Sequence, residues 1–194
     1  MKPALFAMAL TTFAAQTASA QDWNIEVFAG SGDAGNLEWN GVNFEMEPGF
    51  TYGIGISRND VFIDNLEIGF EYSTVEFEYT DEDPNPNRIS GDAFMITSRY
   101  VFCDNGPSKT YFGLGLGVID VTYETEFLDY TNSETVAGGQ VMLGGSYSIA
   151  ERSRIFGEVR YQAALEDPQV AFSDASRTAE FNNTALILGL RQSF

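Results

Sequence analysis

The chain has 194 residues, of which 28 are acidic and 10 basic, giving a formal net charge of −18. So acidic a chain lacks the basic face that nucleic acid requires; with no histidine and one cysteine it can build no Ser-His-Asp triad, no Cys-His pair, no clustered Cys/His zinc site and no internal disulfide. After residue 20 there is no run of about 18 apolar residues, which excludes a helical membrane span, whereas a β-barrel needs only about 9–11 alternating residues per pass.

Met1-Lys2 is a short basic start, Ala4 to Ala15 is apolar, and Ala18-Ser19-Ala20 is a small-x-small site before Gln21. This is the layout of a secretory signal peptide. Residues 1–20 are therefore set apart as a removed leader, and residues 21–194 are read as one barrel domain. Without Lys2 the charge balance becomes 9 − 28 = −19.

The rest of the chain alternates. A strand sends successive side chains to opposite faces, and Trp23, Ile25, Val27 and Ala29 alternate with Asn24, Glu26, Phe28 and Gly30. A polar stretch from Ser31 to Glu47 leads to a second strand, with Phe50, Tyr52, Ile54 and Ile56 on one face. Arg58-Asn59-Asp60 reads as a tight turn. The third strand carries Leu66, Ile68, Phe70 and Tyr72, and an acidic, Pro-containing connection then runs from about Glu76 to Gly91. The fourth has Phe94, Ile96, Tyr100 and Phe102 on its apolar face. Cys103 to Lys109, with Asn105-Gly106-Pro107, is a short turn. The fifth sets Phe112, Leu114, Leu116 and Val118 against Gly113, Gly115 and Gly117. After a polar stretch (Glu124 to Thr135) comes the sixth, with Val141, Leu143, Tyr147 and Ile149. Glu151-Arg152-Ser153 is another short turn. The seventh has Ile155, Val159 and Tyr161, and a loop from Glu166 to Glu180 precedes the last strand. There Leu186, Leu188, Leu190, Gln192 and Phe194 share a face.

The result is eight strands whose connections alternate long and short. That alternation is the strongest signal in the sequence, because outer-membrane barrels have even strand numbers, short turns on one side and longer loops on the other. The terminal segment resembles the C-terminal strand of bacterial outer-membrane β-barrels, whose final Phe on a period-two apolar row is an assembly signal. The whole pattern resembles the small OmpA-transmembrane-like, OmpX-like and opacity-type barrels of the porin family. The fold expected is an all-β, eight-stranded antiparallel up-and-down transmembrane β-barrel. The resemblance implies the outer membrane as location, with both termini periplasmic and with lipid, lipopolysaccharide and the outer-membrane assembly machinery as partners. Phe194, Leu190, Leu188 and Leu186 would form the assembly signal. A soluble lipocalin-like barrel would turn the apolar row inward instead. Against it stand the few charges on that row and the aromatics at its short-turn ends (Trp23, Phe102, Phe112, Tyr147 and Phe194), placed as an interfacial girdle would be. Phe70, Tyr72 and Phe94 suit the opposite girdle.

In the third strand the apolar parity flips after Tyr72, to Val75, Phe77 and Tyr79; in the fifth it flips after Val118, to Ile119, Val121 and Tyr123. Either a bulge reverses the faces, or the strands continue beyond the bilayer, where nothing demands an outward apolar row.

Catalytic, cofactor and metal sites find no support. Gly113-x-Gly115-x-Gly117 lacks the following helix of a dinucleotide fingerprint, so small lumen residues explain it better. Lys109 sits in a short turn, and the Glu76, Glu78, Asp81, Glu82, Asp83 cluster lacks the spacing of a calcium loop, which favours a solvated acidic tip. What stands out is the charged inner face: Glu26, Glu67, Glu71, Arg99, Glu158, Arg160 and Arg191. An eight-stranded barrel is just wide enough for side chains to fill, so a mutually paired network that plugs the lumen near its periplasmic end is expected, with Glu26, Glu67, Arg99, Glu158 and Arg191 forming one layer. The function expected is structural, adhesive or surface-interaction, without enzymatic activity. A small passive pore or hydrophobic-solute channel and a secreted binding barrel are the competing readings.

Overall fold

The computed structural model describes residues 23–34, 36–39, 42–45, 47–80, 86–125, 130–166, 169–172, 175–178 and 181–194. The leader assigned to residues 1–20 lies outside them, as do Asp81, Glu82 and Asp83. Every regular element described is a strand. In chain order these are β1 (Trp23–Asp33), β2 (Asn36–Trp39), β3 (Val42–Glu45), β4 (Gly49–Arg58), β5 (Leu66–Thr80), β6 (Pro86–Asn105), β7 (Ser108–Thr125), β8 (Tyr130–Ala150), β9 (Ser153–Ala164), β10 (Gln169–Phe172), β11 (Ala175–Thr178) and β12 (Asn182–Ser193). Eight of them close into an antiparallel barrel, in the order β1-β12-β9-β8-β7-β6-β5-β4. The small hairpins β2-β3 and β10-β11 belong to two of the long connections.

Closure joins the first strand to the last. β1 pairs with β12 from Asn24–Ser193 to Asp33–Thr184, and the Phe194 amide donates to the Trp23 carbonyl at 3.0 Å. The ladder therefore has no free edge, the device by which a barrel escapes edge-to-edge aggregation. Both ends of the sheet lie at the end that carries the short turns.

Alternation decides the faces. Ile54, Ile56, Phe70, Phe94, Ile96, Leu114, Leu116, Leu143, Val159, Leu186 and Leu188 all point outward and are exposed. Trp23, Phe102, Phe112, Tyr147 and Phe194 ring this belt at the short-turn end and are exposed as well. At its other margin the Tyr72 and Phe94 rings pack at 4.9 Å between centroids, with Phe50 and Tyr52 beside each other at 5.9 Å.

Four strands run past that margin. β5 and β6 pair without interruption from Leu66–Tyr100 to Thr80–Pro86, so most of the 76–91 connection is strand, and likewise β7 and β8 take up much of 124–135. The parity flips need no bulge. The register shifts that do occur lie at the short-turn end, between Val101 and Cys103 and between Ser148 and Ala150. Beyond Tyr72, Phe94 and Val118 the outward positions become Thr74, Glu76, Asp92, Ser90, Asp120 and Thr122. The inward ones become Val75, Phe77, Ile89, Ala93, Ile119 and Val121, which join Met95, Tyr123, Val136 and Phe181 in a buried apolar cluster. The surroundings change along one strand, and the apolar face changes with them.

A second difference concerns the β4–β5 connection. It is a loop over residues 59–65 rather than a tight turn at Arg58-Asn59-Asp60, with Asp60, Phe62 and Asn65 in the left-handed region.

Candidate functional site

The inner face is arranged in tiers. At the short-turn end it is polar: Asn24 donates to Ser57 Oγ (3.4 Å) and Asn59 Oδ1 (3.0 Å) and accepts from Ser193 Oγ at 2.7 Å, and Arg154 Nε donates to Ser146 Oγ at 3.0 Å. Above it lies the charged layer, and beyond that the apolar cluster described above.

Register explains how the charges meet. Glu26 pairs with Arg191 on one side and with Gly55 on the other, and Gly55 pairs with Glu71. Glu67 pairs with Arg99, and Arg99 with Gly113. That row continues through Met142 to Arg160. Two inward glycines, Gly113 in the second row and Gly115 in the neighbouring one between Thr97 and Gln140, leave room for the long side chains to cross the lumen. A Cβ at Gly113 would fall 2.9 Å from Met142 Cε and 3.0 Å from Arg99 Cγ, and one at Gly115 would fall 2.5 Å from Gln140 Cγ.

All seven charged residues anticipated for the lumen join one network there. Arg99 is its hub: its Nη1 lies 2.8 Å from Glu26 and 2.9 Å from Glu67, its Nη2 3.3 Å from Glu71, and its Nε 3.8 Å from Glu158. Arg160 grips Glu71 with a parallel pair of bonds at 2.6 and 2.9 Å and also reaches Glu158 at 2.8 Å. Fork geometry of this kind makes guanidinium–carboxylate pairs strong and directional. Arg191 bridges Glu26 (2.6 Å) and Glu67 (2.8 Å). Every one of these side chains is 7% exposed or less. Four carboxylates against three guanidiniums leave 4 − 3 = 1 formal negative charge in the layer.

Neutral groups complete it. The Tyr111 hydroxyl donates to Glu158 Oε2 at 2.9 Å, Gln140 Nε2 donates to Glu71 at 3.2 Å, and Gln162 Nε2 donates to Gln140 Oε1 at 3.2 Å. Aromatic faces receive the cations: Arg160 lies over Phe28 at 4.9 Å, and Arg191 lies 5.9 Å from both the Tyr111 and Phe156 rings. Such stacking supplements the hydrogen bonds of a desolvated guanidinium. Tyr111, Gln140 and Gln162 were not anticipated. Their inward parity was visible in the alternation, but an uncharged polar residue carries no mark of pairing. Removing only the hydroxyl, as in Tyr111→Phe, should cost about 1.5–3 kcal/mol, the worth of a hydrogen bond to a charged group. The unfolding midpoint in urea, measured with an unchanged heat-dependent gel shift, checks this.

The remaining residues anticipated as functional lie elsewhere. Leu186, Leu188, Leu190 and Phe194 form the exposed outer row of β12, with no contact to the charged layer. Glu76 and Glu78 pair with Arg88 at 2.9 and 3.7 Å on the outer face of the projecting strands. Lys109 pairs with Asp104 at 3.0 Å across the β6–β7 turn, a structural use of the side chain. Among the described residues no group of three or more potential Cys, His, Asp or Glu metal ligands is assembled.

A closed eight-stranded up-and-down barrel with an apolar outer belt and a charged interior has the fold of the small bacterial outer-membrane β-barrels. The chain is similar in structure to Neisserial surface protein A (15% identity, TM-score 0.60, covering 92% of this chain and 100% of that one). It is also similar to the outer membrane protein OprG from Pseudomonas aeruginosa (12% identity, TM-score 0.58, 89% and 95% covered). A third is Ail, the attachment invasion locus protein of Yersinia pestis, in complex with the heparin analogue sucrose octasulfate (10% identity, TM-score 0.51, 88% and 99% covered). No family model and no curated protein matches the chain in sequence.

Proposed function

We propose that the chain is an integral outer-membrane β-barrel with a side-chain-filled lumen, whose role at the cell surface is structural, adhesive or interactive rather than enzymatic. The observation that carries this reading is the reversal of apolar parity along β5, β6 and β7. Each of these three strands turns its apolar residues outward over one stretch and inward over the next. On β6 the outward stretch runs from Phe94 to Phe102, close to the roughly 9–11 residues with which a tilted strand crosses a bilayer. In water so continuous a belt would far exceed the few hundred Å² of contiguous apolar surface that soluble monomers tolerate, which speaks against the secreted binding barrel. In lipid the belt is what the surroundings demand. Past the belt, the reversed segments form a folded projection with its own apolar core and a polar exterior, suited to presenting a surface.

Residues 1–20 are the removed leader in this reading, the short turns and both termini face the periplasm, and the projection faces outward. The β12 row ending at Phe194 is what the assembly machinery would recognise. A filled lumen favours this over the passive pore.

Cell fractionation with gel mobility before and after boiling tests the proposal. The protein should sediment with outer membranes and change mobility on heating, and Cys103 in the β6–β7 turn should react with an impermeant thiol reagent only after permeabilisation. Recovery in the soluble fraction would refute the membrane reading, and labelling on intact cells would invert the topology.

A further inference from the structure

The β4–β5 loop does something that a short connection does not require. Its sequence, Asn59-Asp60-Val61-Phe62-Ile63-Asp64-Asn65, places three apolar residues at the tip. Phe62 is 90% exposed and Ile63 57%. Phe62 also holds a left-handed backbone, with φ of 67°. Asp60 and Asn65 share that region and are residue types that tolerate it, whereas for a bulky aromatic it is an outlier.

Surrounding bonds hold the loop in place. The Asn65 amide donates to Asp60 Oδ1 at 2.8 Å. The Val61 amide donates to the Leu66 carbonyl at 3.0 Å, and the Ile63 amide to that of Val61 at 2.9 Å. The Asn65 carbonyl in turn accepts from the Val101 amide of β6 at 3.0 Å. An ordered loop that imposes strain in order to display an apolar side chain points to something that covers the side chain.

We propose that this loop is a lipid anchor, with Phe62 and Ile63 seated in the leaflet at the short-turn end of the barrel. The inference rests on the membrane-spanning reading above. The loop is continuous with the aromatic girdle there. At its start, Arg58 pairs with Trp23 across strands and holds its guanidinium 5.9 Å from the Trp23 ring; at its end, Leu66 pairs with the exposed Tyr100, two residues from the exposed Phe102. Aromatics and basic side chains collect where hydrocarbon meets headgroups. Size argues against a protein partner. An aromatic side chain offers about 150–250 Å², and even with Ile63 the tip falls well below the roughly 800 Å² per partner of a stable interface. For partitioning into lipid, an isolated apolar tip is sufficient.

The test is spin labelling of the full mature chain with Cys103→Ser, reconstituted in phosphatidylethanolamine–phosphatidylglycerol bilayers. One nitroxide is placed at Phe62→Cys, a second at Ile63→Cys, and a reference at Leu188→Cys in the belt. Power saturation should show positions 62 and 63 accessible to oxygen and shielded from a water-soluble nickel chelate, as position 188 is. If 188 is shielded while 62 and 63 are open to the chelate, the loop faces water, and the anchor is refuted in favour of a soluble partner. If 188 is itself open to the chelate, the membrane-spanning reading fails and the anchor fails with it.

Discussion

Replacing Arg99 by methionine should lower stability by about 3–5 kcal/mol, the cost of breaking a buried ion pair by removing one partner. Its guanidinium contacts Glu26, Glu67 and Glu71 and lies 3.8 Å from Glu158. Without it, four carboxylates face two guanidiniums in a buried layer flanked by the Tyr111, Phe28 and Phe156 rings. The thioether restores volume, so a cavity is not the main term. Two comparisons separate charge from packing. Glu67→Gln removes the surplus negative charge and keeps an acceptor for Arg191, so its effect should be much smaller than that of Arg99→Met. The double variant should lose less than the sum of the two, because the contact between them is absent from it. Urea unfolding of the refolded protein in detergent or bilayers reads all three. A cost below about 1 kcal/mol for Arg99→Met would place the network among weakly coupled surface pairs and deny it a role in holding the barrel.

How far the sequence discloses this architecture depends on what each residue must satisfy. The eight barrel strands and their inward charges follow from period two alone, because a one-residue slip would turn every charge into the apolar belt. Ion pairing is visible in the same way: a charge on the inner face has to find a partner, and Glu26, Glu67, Glu71, Arg99, Glu158, Arg160 and Arg191 offer both signs at neighbouring inward positions. The lengths of β5 to β8 are harder to read. Thr74, Glu76 and Glu78 look like a loop when the apolar row is expected outside, and only the buried positions of Val75 and Phe77 show the strand continuing with its solvents exchanged. The loop at 59–65 misleads for a related reason. Asn59-Asp60 has the composition of a tight turn, while Val61, Phe62 and Ile63 resemble neither turn nor strand until the girdle beside them is in view. Tyr111 and Gln140 escape because their value lies in one hydrogen bond each to a charge on another strand.

The purified protein should show no steady ohmic conductance in planar bilayers. In the plugged-barrel reading two tiers along the lumen oppose an ion, by different physics. Through the charged layer an ion would have to cross carboxylates and guanidiniums already bonded to one another, with Met142, Gln140 and Tyr111 filling the gaps between them. Toward the long-loop end it would then meet Phe77, Ile119, Val121 and Met95, each 2% exposed or less, an apolar tier that offers an ion no replacement for its water. Added bulk at Gly113 or Gly115 is a poor probe of a pore, because a Cβ there already meets Arg99, Met142 or Gln140 at 3.0 Å or less and would overpack a filled site. Truncation is the informative direction. Gln140→Ala removes a filler from the charged layer, and Phe77→Ala removes one from the apolar tier. Each alone should leave the bilayer silent, because the other closure persists. Channel events should emerge only when both are combined, in protein that still shifts on heating. Steady conductance from the unaltered barrel, or from Gln140→Ala by itself, would show that water already passes the apolar tier, and the passive-pore reading would take precedence over the plugged barrel.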